Sequence, residues 1–290
     1  MISDLFRKPA QLIHDQRCVI VHIHIFKNAG TTFDWALKRN FGKAFIDHRD
    51  DDARKKGGAE YLLNYINAHS DLAAFSSHHI RIPLPEDDTA TFLPALFIRH
   101  PVLRAQSVYT YERHQRSATP GAQHAKKLDF EKYIEWRMQK GVGRTIRNSQ
   151  TIICAKLLAP GRPFNLTRAK TFLELCPLMG IVERFDESMV VFEHHLQSYF
   201  QGLDLSYRRQ NRGRDENKDQ PKSINARASA ILNTMGAQKE LFLESNKNDQ
   251  MLYRFANKLL DERIQSIEDF GAHLTEFQER KARLQRTLLG

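Results

Sequence analysis

The sequence predicts an α/β fold in which helices flank a central, mainly parallel sheet and a helical part follows at the C-terminus. Two observations carry this prediction. Short β-branched, apolar runs alternate with segments of helical periodicity through residues 18–200, as expected of strands joined by crossover helices. From residue 226 onward the pattern is helical. No internal repeat is visible.

The strand predictions rest on short apolar runs. Residues 18–26 form the first, and their β-branched composition is typical of a strand buried on both faces. A helix should begin near Thr31, because Phe33, Leu37 and Phe41 recur at helical spacing before Gly42. Three further runs predict strands: 72–76, 95–99 and 178–183.

The remaining segments divide into helices and loops. Helices are predicted over 103–111, 129–140, 145–158, 186–200, 226–244, 249–264 and onward to 288. The polar stretch 113–127 and the densely charged stretch 207–223 are predicted to be surface loops. We expect one domain over 1–290, with its core at about 18–200, a basic loop at 207–223 and C-terminal helices at 226–288.

The amino-acid composition indicates which classes of ligand the chain is expected to bind and where the protein is expected to be found. The net charge of +10 favours an anionic ligand: a nucleotide, an acidic glycan, a nucleic acid or an anionic membrane. The three cysteines are widely spaced, which excludes a zinc motif and a disulfide framework. No signal peptide is seen, and the run 18–26 is too short to span a bilayer. These features predict a soluble, cytoplasmic protein.

The loop 26–32 joins the first strand to the first helix. Its backbone amides, at Ala29, Gly30, Thr31 and Thr32, should be unpaired donors at a helix start, beside the charge of Lys27. Gly30 should let the backbone bend and a ligand approach closely. The Walker pattern is absent, because the lysine precedes the glycine. The loop predicts a phosphate-like site, and the alternative is a plain turn with an exposed lysine.

A second candidate anion site follows the strand 95–99. Arg99 ends that strand, and Pro101 sets up a helix that carries Ser107 two turns later. A guanidinium and a hydroxyl could bind one anion together. The alternative is a surface arginine and a helical serine with no shared ligand.

These two segments resemble motifs of the sulfotransferases that use 3′-phosphoadenosine 5′-phosphosulfate. The Lys27 loop resembles their phosphosulfate loop, commonly written PKTGGTS, with Phe26 in place of proline and Asn28 in place of threonine. The second segment resembles their RDPxxRxxSxY motif, with His100 in place of aspartate. Its matching positions are Arg99, Pro101, Arg104, Ser107 and Tyr109. The resemblance spans roughly residues 18–264.

Weaker similarities point to the glycan-sulfating branch that includes the uronyl 2-O-sulfotransferases. They lie at 148–151, 180–186 and 249–253. The resemblance implies a P-loop-like sheet, a saccharide hydroxyl as acceptor, and no metal. It implies nucleotide contacts from Lys27, Asn28, Ala29, Gly30, Thr31, Thr32, Arg99 and Ser107. It also suggests acceptor or nucleotide contacts from Arg104, Asn148, Gln150 and Thr151, for which a polar helix face is the alternative.

For sulfuryl transfer, Lys27 is suited to stabilise charge on the leaving oxygen, and a histidine is suited to take the acceptor proton. The resemblance places that histidine just after the strand 72–76, at His78 or His79. His78 fits the family pair of a small residue and a histidine better. His22 and His24, which alternate on the first strand, are interpreted as structural.

Two other function classes remain open. A P-loop-like nucleotide kinase would need a lysine after the glycine and acidic magnesium ligands at a strand end, where this chain has Arg99 and His100. A basic nucleic-acid-binding protein is suggested by charge alone. The last helix carries a near-heptad apolar seam, so it packs either on its own domain or in a homodimer.

Overall fold

The protein is described by a computed structural model that covers residues 17–49, 51–80, 83–84, 86–159, 161–208, 210 and 223–286. The described strands are β1 (Arg17–Ile23), β2 (Phe45–Asp47), β3 (Ala74–Ser77), β4 (Ala90–Ile98) and β5 (Leu178–Ile181). The described helices are α1 (Gly30–Phe41), α2 (Asp51–Asn67), α3 (Pro101–His114), α4 (Pro120–Lys127), α5 (Phe130–Met138), α6 (Ser149–Leu158), α7 (Leu166–Leu175), α8 (Phe185–Leu196), α9 (Ile224–Asn233), α10 (Lys239–Ser245), α11 (Lys247–Gln265) and α12 (Phe270–Arg286).

The described strands form one parallel sheet in the order β2-β3-β1-β4-β5. The chain builds β2 and β3 on one side of β1 and then crosses to build β4 and β5 on the other. Ligands of open α/β sheets bind outside the carboxyl ends of the strands at such a reversal. The fold prediction is confirmed: a P-loop-like α/β sheet flanked by helices, with a helical C-terminal part.

Helices cover both faces of the sheet, which explains the continuous burial of β1. One face packs against α2, α6, α7 and α11, with Phe172 and Leu252 fully buried. The other packs against α1, α8 and α12, with Phe33 and Phe192 fully buried. These two layers fix the strand ends that carry the candidate site.

Some of the predicted secondary-structure elements differ from those observed. The stretch 113–127 was predicted as a loop, and this is wrong for its second half, which forms α4. Thr119 caps α4 by accepting from the Ala122 amide at 3.4 Å, and Pro120 occupies its first turn. The short strand β2 and the helices α2 and α7 were not predicted. Much of the basic stretch 207–223 lies outside the described residues.

The last helix packs on its own domain. Phe277 is fully buried in the layer formed with α8, and the Arg280 guanidinium lies 2.7 Å from the Glu193 carboxylate. The homodimer expected as the other use of this seam stays a prediction. No described helix is long and apolar enough to cross a membrane. Cys18, Cys154 and Cys176 are buried and form no disulfide with one another.

Candidate functional site

The loop between β1 and α1 is bent at two residues that are not glycine. Lys27 has φ +64° and Ala29 has φ +60°. Within the described part of the chain, the amides of Ala29, Gly30 and Thr31 have no protein acceptor, while the Thr32 amide donates to the Ala29 carbonyl at 3.0 Å. Successive amides that converge at a helix start form a concave anion site. The loop therefore offers several donors to one oxyanion.

Gly30 serves a neighbour within the protein. A Cβ atom at this position would lie 2.2 Å from the His24 ring, so only glycine leaves room for the imidazole. The expectation that Gly30 supplies the bend is corrected, because the positive φ angles lie at Lys27 and Ala29. The absence of a Cβ atom at Gly30 thus allows His24 to pack behind the loop.

Lys27 is a half-buried cation at the mouth of the loop. Its Nζ lies 4.5 Å from the centre of the Tyr111 ring. Burial, and secondarily the charge of Arg99, lower the pKa of Lys27 to about 8. The ammonium is therefore charged at neutral pH, and it is easier to deprotonate than a solvent-exposed lysine.

Asn28 and Gln150 tie the two predicted anion loops together. The side-chain Nδ2 of Asn28 donates to Phe97 O at 2.6 Å and to Gln150 Oε1 at 2.7 Å. Gln150 Oε1 also accepts from the Arg99 amide at 2.8 Å, and Gln150 Nε2 donates to Arg99 O at 2.9 Å. Arg99 Nη1 in turn donates to Lys27 O at 2.9 Å. The sequence stretches that begin at Lys27 and Arg99 therefore form one connected surface.

One face of α3 lies along the Lys27 loop. Arg104 is buried and donates through Nε to Phe26 O at 3.2 Å and to Asn28 Oδ1 at 3.1 Å. One turn further, Ser107 is half-buried, and it is followed on the same face by Tyr111, which contacts Lys27. The segment that begins at Arg99 is therefore adjacent to the Lys27 loop.

His100 performs the role of an N-cap. Its Nδ1 accepts from the Val102 amide at 3.3 Å at the start of α3. Burial, with help from Arg254 and Arg99, lowers the pKa of His100 to about 4, so the imidazole is neutral and able to accept. A carboxylate at this position would face Glu183, whose oxygens lie 3.2 and 3.3 Å from the His100 amide.

Glu183 is a buried carboxylate beside the second anion loop. Its Oε1 lies 3.7 Å from Arg99 Nε, and it hydrogen-bonds to the side chain of Tyr253. Burial raises the pKa of Glu183 despite these partners. The segments 180–186 and 249–253, singled out in the sequence, therefore meet at Arg99.

Asp249 joins the start of α11 to the start of α6. Its carboxylate accepts from the Gln150 amide at 3.2 Å, the Thr151 amide at 2.8 Å and Thr151 Oγ1 at 2.7 Å. In return, the Asp249 amide donates to Asn148 Oδ1 at 3.0 Å. The motif 148–151 is thus the partner of the motif 249–253.

His78 and His79 lie in a turn directly after β3 and are not part of the strand. His78 Nδ1 donates to His24 O at 3.0 Å, which leaves Nε2 as the unprotonated nitrogen. Burial, then the charges of His24 and Arg49, lower the pKa of His78 to about 3. The His79 amide donates to Ser77 Oγ at 3.2 Å. His78 is the histidine that packs against the residues behind the Lys27 loop.

The structure brings most of the predicted site residues together, in two different kinds of position. Lys27, Ala29, Thr31 and Arg99 are exposed or partly exposed, and Ser107 is half-buried nearby on α3. Asn28, Gly30 and Thr32 of the same loop are buried. Arg104, Gln150 and Thr151 are 3%, 0% and 0% exposed, and their polar atoms contact protein. Their contact with substrate stays a prediction. Gln210, at the start of the basic stretch, brings its amide to 3.4 Å from Thr32 Oγ1.

Sequence reasoning missed Asp34, Tyr111 and the functional position of His24. Asp34 faces the two strand histidines, and Tyr111 lies over Lys27. Tyr111 follows Arg104 by about two helical turns, so the sequence spacing could have placed both residues on one face of the predicted helix. For Asp34 the signal was a carboxylate one turn into a helix that follows a histidine-bearing strand.

Comparison with known proteins gives one informative match. The chain is 31% identical over 247 residues to an uncharacterized protein from Archaeoglobus fulgidus, and the alignment covers 82% of this chain and 95% of that protein. No family model matches the chain.

Proposed function

We propose that this chain, which belongs to the same family as the uncharacterized Archaeoglobus fulgidus protein, is a sulfotransferase. It would move a sulfuryl group from 3′-phosphoadenosine 5′-phosphosulfate to a hydroxyl, and a saccharide is the acceptor we favour. The observation that carries the proposal is the link through Gln150 between two sequence motifs, one after β1 and one after β4. Each motif offers cationic and hydroxyl donors suited to one end of a bisphosphorylated nucleotide.

The Lys27 loop suits the sulfate end of the donor. The unpaired amides of Ala29, Gly30 and Thr31 and the Lys27 ammonium are positive groups that need no rearrangement to meet an oxyanion. Preorganised donors of this kind stabilise charge that develops in a transition state. Lys27 is therefore assigned to the leaving phosphate oxygen.

Arg99 and Ser107 suit the 3′-phosphate. Arg99 is held in place by Lys27 O and Glu183, so its guanidinium is oriented before a ligand arrives. Ser107 lies on the α3 face that fronts the same loop. A charge-assisted hydrogen bond from such groups selects a phosphate by geometry as well as charge.

His78 is assigned as the base. In sulfuryl transfer the acceptor oxygen forms a bond to sulfur, the bond from sulfur to the 5′-phosphate oxygen breaks with its electron pair, and the acceptor proton passes to a base. The unprotonated Nε2 of His78 can accept that proton, and its Nδ1–H is held by His24 O. The step needs no metal ion in the proposed scheme.

The proposal is tested by calorimetric titration with 3′-phosphoadenosine 5′-phosphate, adenosine 5′-phosphate and ATP with magnesium. Ser107→Ala is the sharper variant, since Arg99 also holds the Lys27 loop. We expect Ser107→Ala to weaken binding of the bisphosphate about tenfold to a hundredfold, with little effect on adenosine 5′-phosphate. Ser198→Ala, in the exposed turn that follows α8, is the control. Preference for ATP over the bisphosphate would favour the kinase alternative instead.

A further inference from the structure

A buried cluster of titratable side chains lies behind the Lys27 loop. His22 and His24, on one face of the chain at the end of β1, both approach Asp34 in the first turns of α1. His22 Nδ1 lies 2.6 Å from Asp34 Oδ1, and His24 Nδ1 lies 3.0 Å from Asp34 Oδ2. The three residues are 1%, 5% and 8% exposed. Each carboxylate oxygen thus faces one imidazole.

The Asp34 carboxylate is ionised. Burial alone would raise the pKa of Asp34, but His22 and His24 together hold it well below its usual range. An ionised carboxylate only accepts hydrogen bonds, so each facing Nδ1 is best satisfied by carrying a proton. The contact to His22 is a short, charge-assisted hydrogen bond. His24 Nδ1 makes a close polar contact with the carboxylate at a poorer hydrogen-bond angle.

His24 connects this cluster to His78. The centroids of the two rings lie 3.8 Å apart, with the ring planes tilted by 31°, and the carbonyl of His24 accepts from His78 Nδ1 at 3.0 Å. On its other side the His24 ring packs against Gly30, where a Cβ atom would lie 2.2 Å away. His24 is therefore confined by α1, and it confines His78 through both its ring and its backbone.

We infer that Asp34 and His24 are positioning residues for His78. The inference rests on the proposed sulfotransferase function for its chemistry. Asp34 holds the ring of His24, and His24 keeps His78 in the form that is protonated at Nδ1 and bears its lone pair at Nε2. When Nε2 takes the acceptor proton, the contacts of Asp34 with His24 and of His24 with His78 keep the His78 ring in the same orientation.

The same side chains have donor types that also bind transition metals. The candidate ligand atoms of His22, His24 and Asp34 lie within 4.8 Å of one another. The 2.6 Å separation of His22 Nδ1 and Asp34 Oδ1 is the length of an N–H···O hydrogen bond, and two ligands of one metal would stand further apart. The geometry therefore favours a proton between these atoms over a metal ion.

The first test needs no variant. In the wild-type protein, ¹⁵N chemical shifts of the His78 imidazole should show a single neutral form, protonated at Nδ1, between about pH 5 and pH 8. The opposite tautomer, or a mixture of the two, would overturn the inference. This readout is independent of any sulfotransferase assay.

The second test removes the charge at Asp34. Asp34→Asn should replace the single His78 tautomer with a mixture, and should lower kcat roughly a hundredfold, while KM for the donor stays unchanged. The matched control is Asp71→Asn, at an exposed carboxylate in the turn before β3. If Asp34→Asn does not fold, His24→Gln offers the same comparison, because it removes the ring and keeps the backbone carbonyl.

The outcomes are distinguishable. Unchanged kcat and an unchanged His78 tautomer in Asp34→Asn would overturn the inference while leaving the proposed function intact. If the wild type sulfates no hydroxyl, the proposed function fails and the tautomer measurement still decides the arrangement. Titration with Co²⁺ provides the last arm: a visible absorption band in the wild type, absent from Asp34→Asn, would identify a metal site and overturn the positioning role.

Discussion

Lys27 is the residue whose charge the proposed chemistry needs most. Its pKa is lowered to about 8, first by burial and then by Arg99. The ammonium is therefore present below pH 8 and lost as pH rises through that value. We expect kcat/KM for the donor to be level up to about pH 7.5 and then to fall, approaching tenfold per pH unit.

Lys27→Ala should not show this fall in activity at alkaline pH. It should also lose about 3–4 kcal/mol of transition-state stabilisation, and its turnover should be correspondingly slower. The reason is that no other ammonium in the described residues is placed over this loop. Lys38→Ala, on the exposed face of α1, is the control. Full turnover of Lys27→Ala at saturating donor would refute the assignment of the lysine to the leaving oxygen.

His78 makes a different prediction for the acidic side of the profile. With its pKa lowered to about 3, mainly by burial, His78 is unprotonated throughout the neutral range. The wild type should therefore lose no activity to protonation of this base between pH 7 and about pH 5. His78→Ala should reduce turnover about 10²–10⁴-fold without weakening binding of 3′-phosphoadenosine 5′-phosphate.

His79→Ala, with a melting curve to confirm folding, is the comparison for His78. The His79 amide donates to Ser77 Oγ, and alanine keeps that amide. The His79 ring lies edge-on to the His78 ring, with centroids 6.4 Å apart. We expect His79→Ala to change turnover little. If His79→Ala is the inactive variant, the base has been assigned to the wrong neighbour. If both variants are active, another group takes the proton.

Gly30 gives a stability prediction. Gly30→Ala would drive a methyl group into the buried His24 ring, and we expect a loss of about 1–3 kcal/mol in the free energy of unfolding. Gly271→Ala, in α12, meets no atom within 4 Å and should be neutral or stabilising by up to about 1 kcal/mol. Urea unfolding of both variants measures the difference. Equal effects would mean that the His24 ring moves aside without cost.

At the scale of the elements, the junction of α6 and α11 holds the residues that support Arg99, although the junction itself is buried behind the site. Asp249 accepts three hydrogen bonds from Gln150 and Thr151, and Gln150 in turn holds Arg99. Asp249→Ala leaves these donors buried without an acceptor, and we expect a loss of about 3 kcal/mol of unfolding free energy.

Asp261→Ala is the matched control on the same helix. Asp261 is a half-exposed carboxylate that pairs with Arg184, and such surface pairs contribute less than about 1 kcal/mol. Chemical denaturation should give a much lower free energy of unfolding for Asp249→Ala than for Asp261→Ala. A small effect of Asp249→Ala would mean that burial of its charge cancels its hydrogen bonds, a tendency already visible in its raised pKa.

Some elements of the fold are predictable from the sequence, and others are not. The strands β1, β4 and β5 and the Lys27 loop could be predicted because their signals are local: apolar runs and a short loop before helical spacing. The helix α2 was missed because Gly58, with φ +59°, interrupts its pattern. The contacts that assemble the site could not be predicted, because they join residues 51 to 122 positions apart, as Asn28 and Gln150 are. Periodicity carries no information on such pairs.

At the scale of the whole molecule, the site depends on distant parts of one chain. The loops at Lys27 and Arg99 are joined through α6, and α6 is held by α11. A ligand that binds these loops should therefore stabilise the entire domain. At a concentration of 100 times Kd, 3′-phosphoadenosine 5′-phosphate should raise the free energy of unfolding by about 2.7 kcal/mol.

The two tryptophans allow this to be measured in two places. Trp35 lies on α1, packed in the layer with α8, and Trp136 lies on α5, stacked on His124 with ring centroids 4.1 Å apart. Trp136→Phe leaves Trp35 as the only reporter, and Trp35→Phe leaves Trp136. If residues 1–290 form one cooperative domain, both variants should unfold at the same urea concentration once corrected for the substitution, and the bisphosphate should shift both transitions equally. A shift confined to the Trp35 reporter would instead indicate two units, of which only the one that carries the Lys27 loop is coupled to the nucleotide.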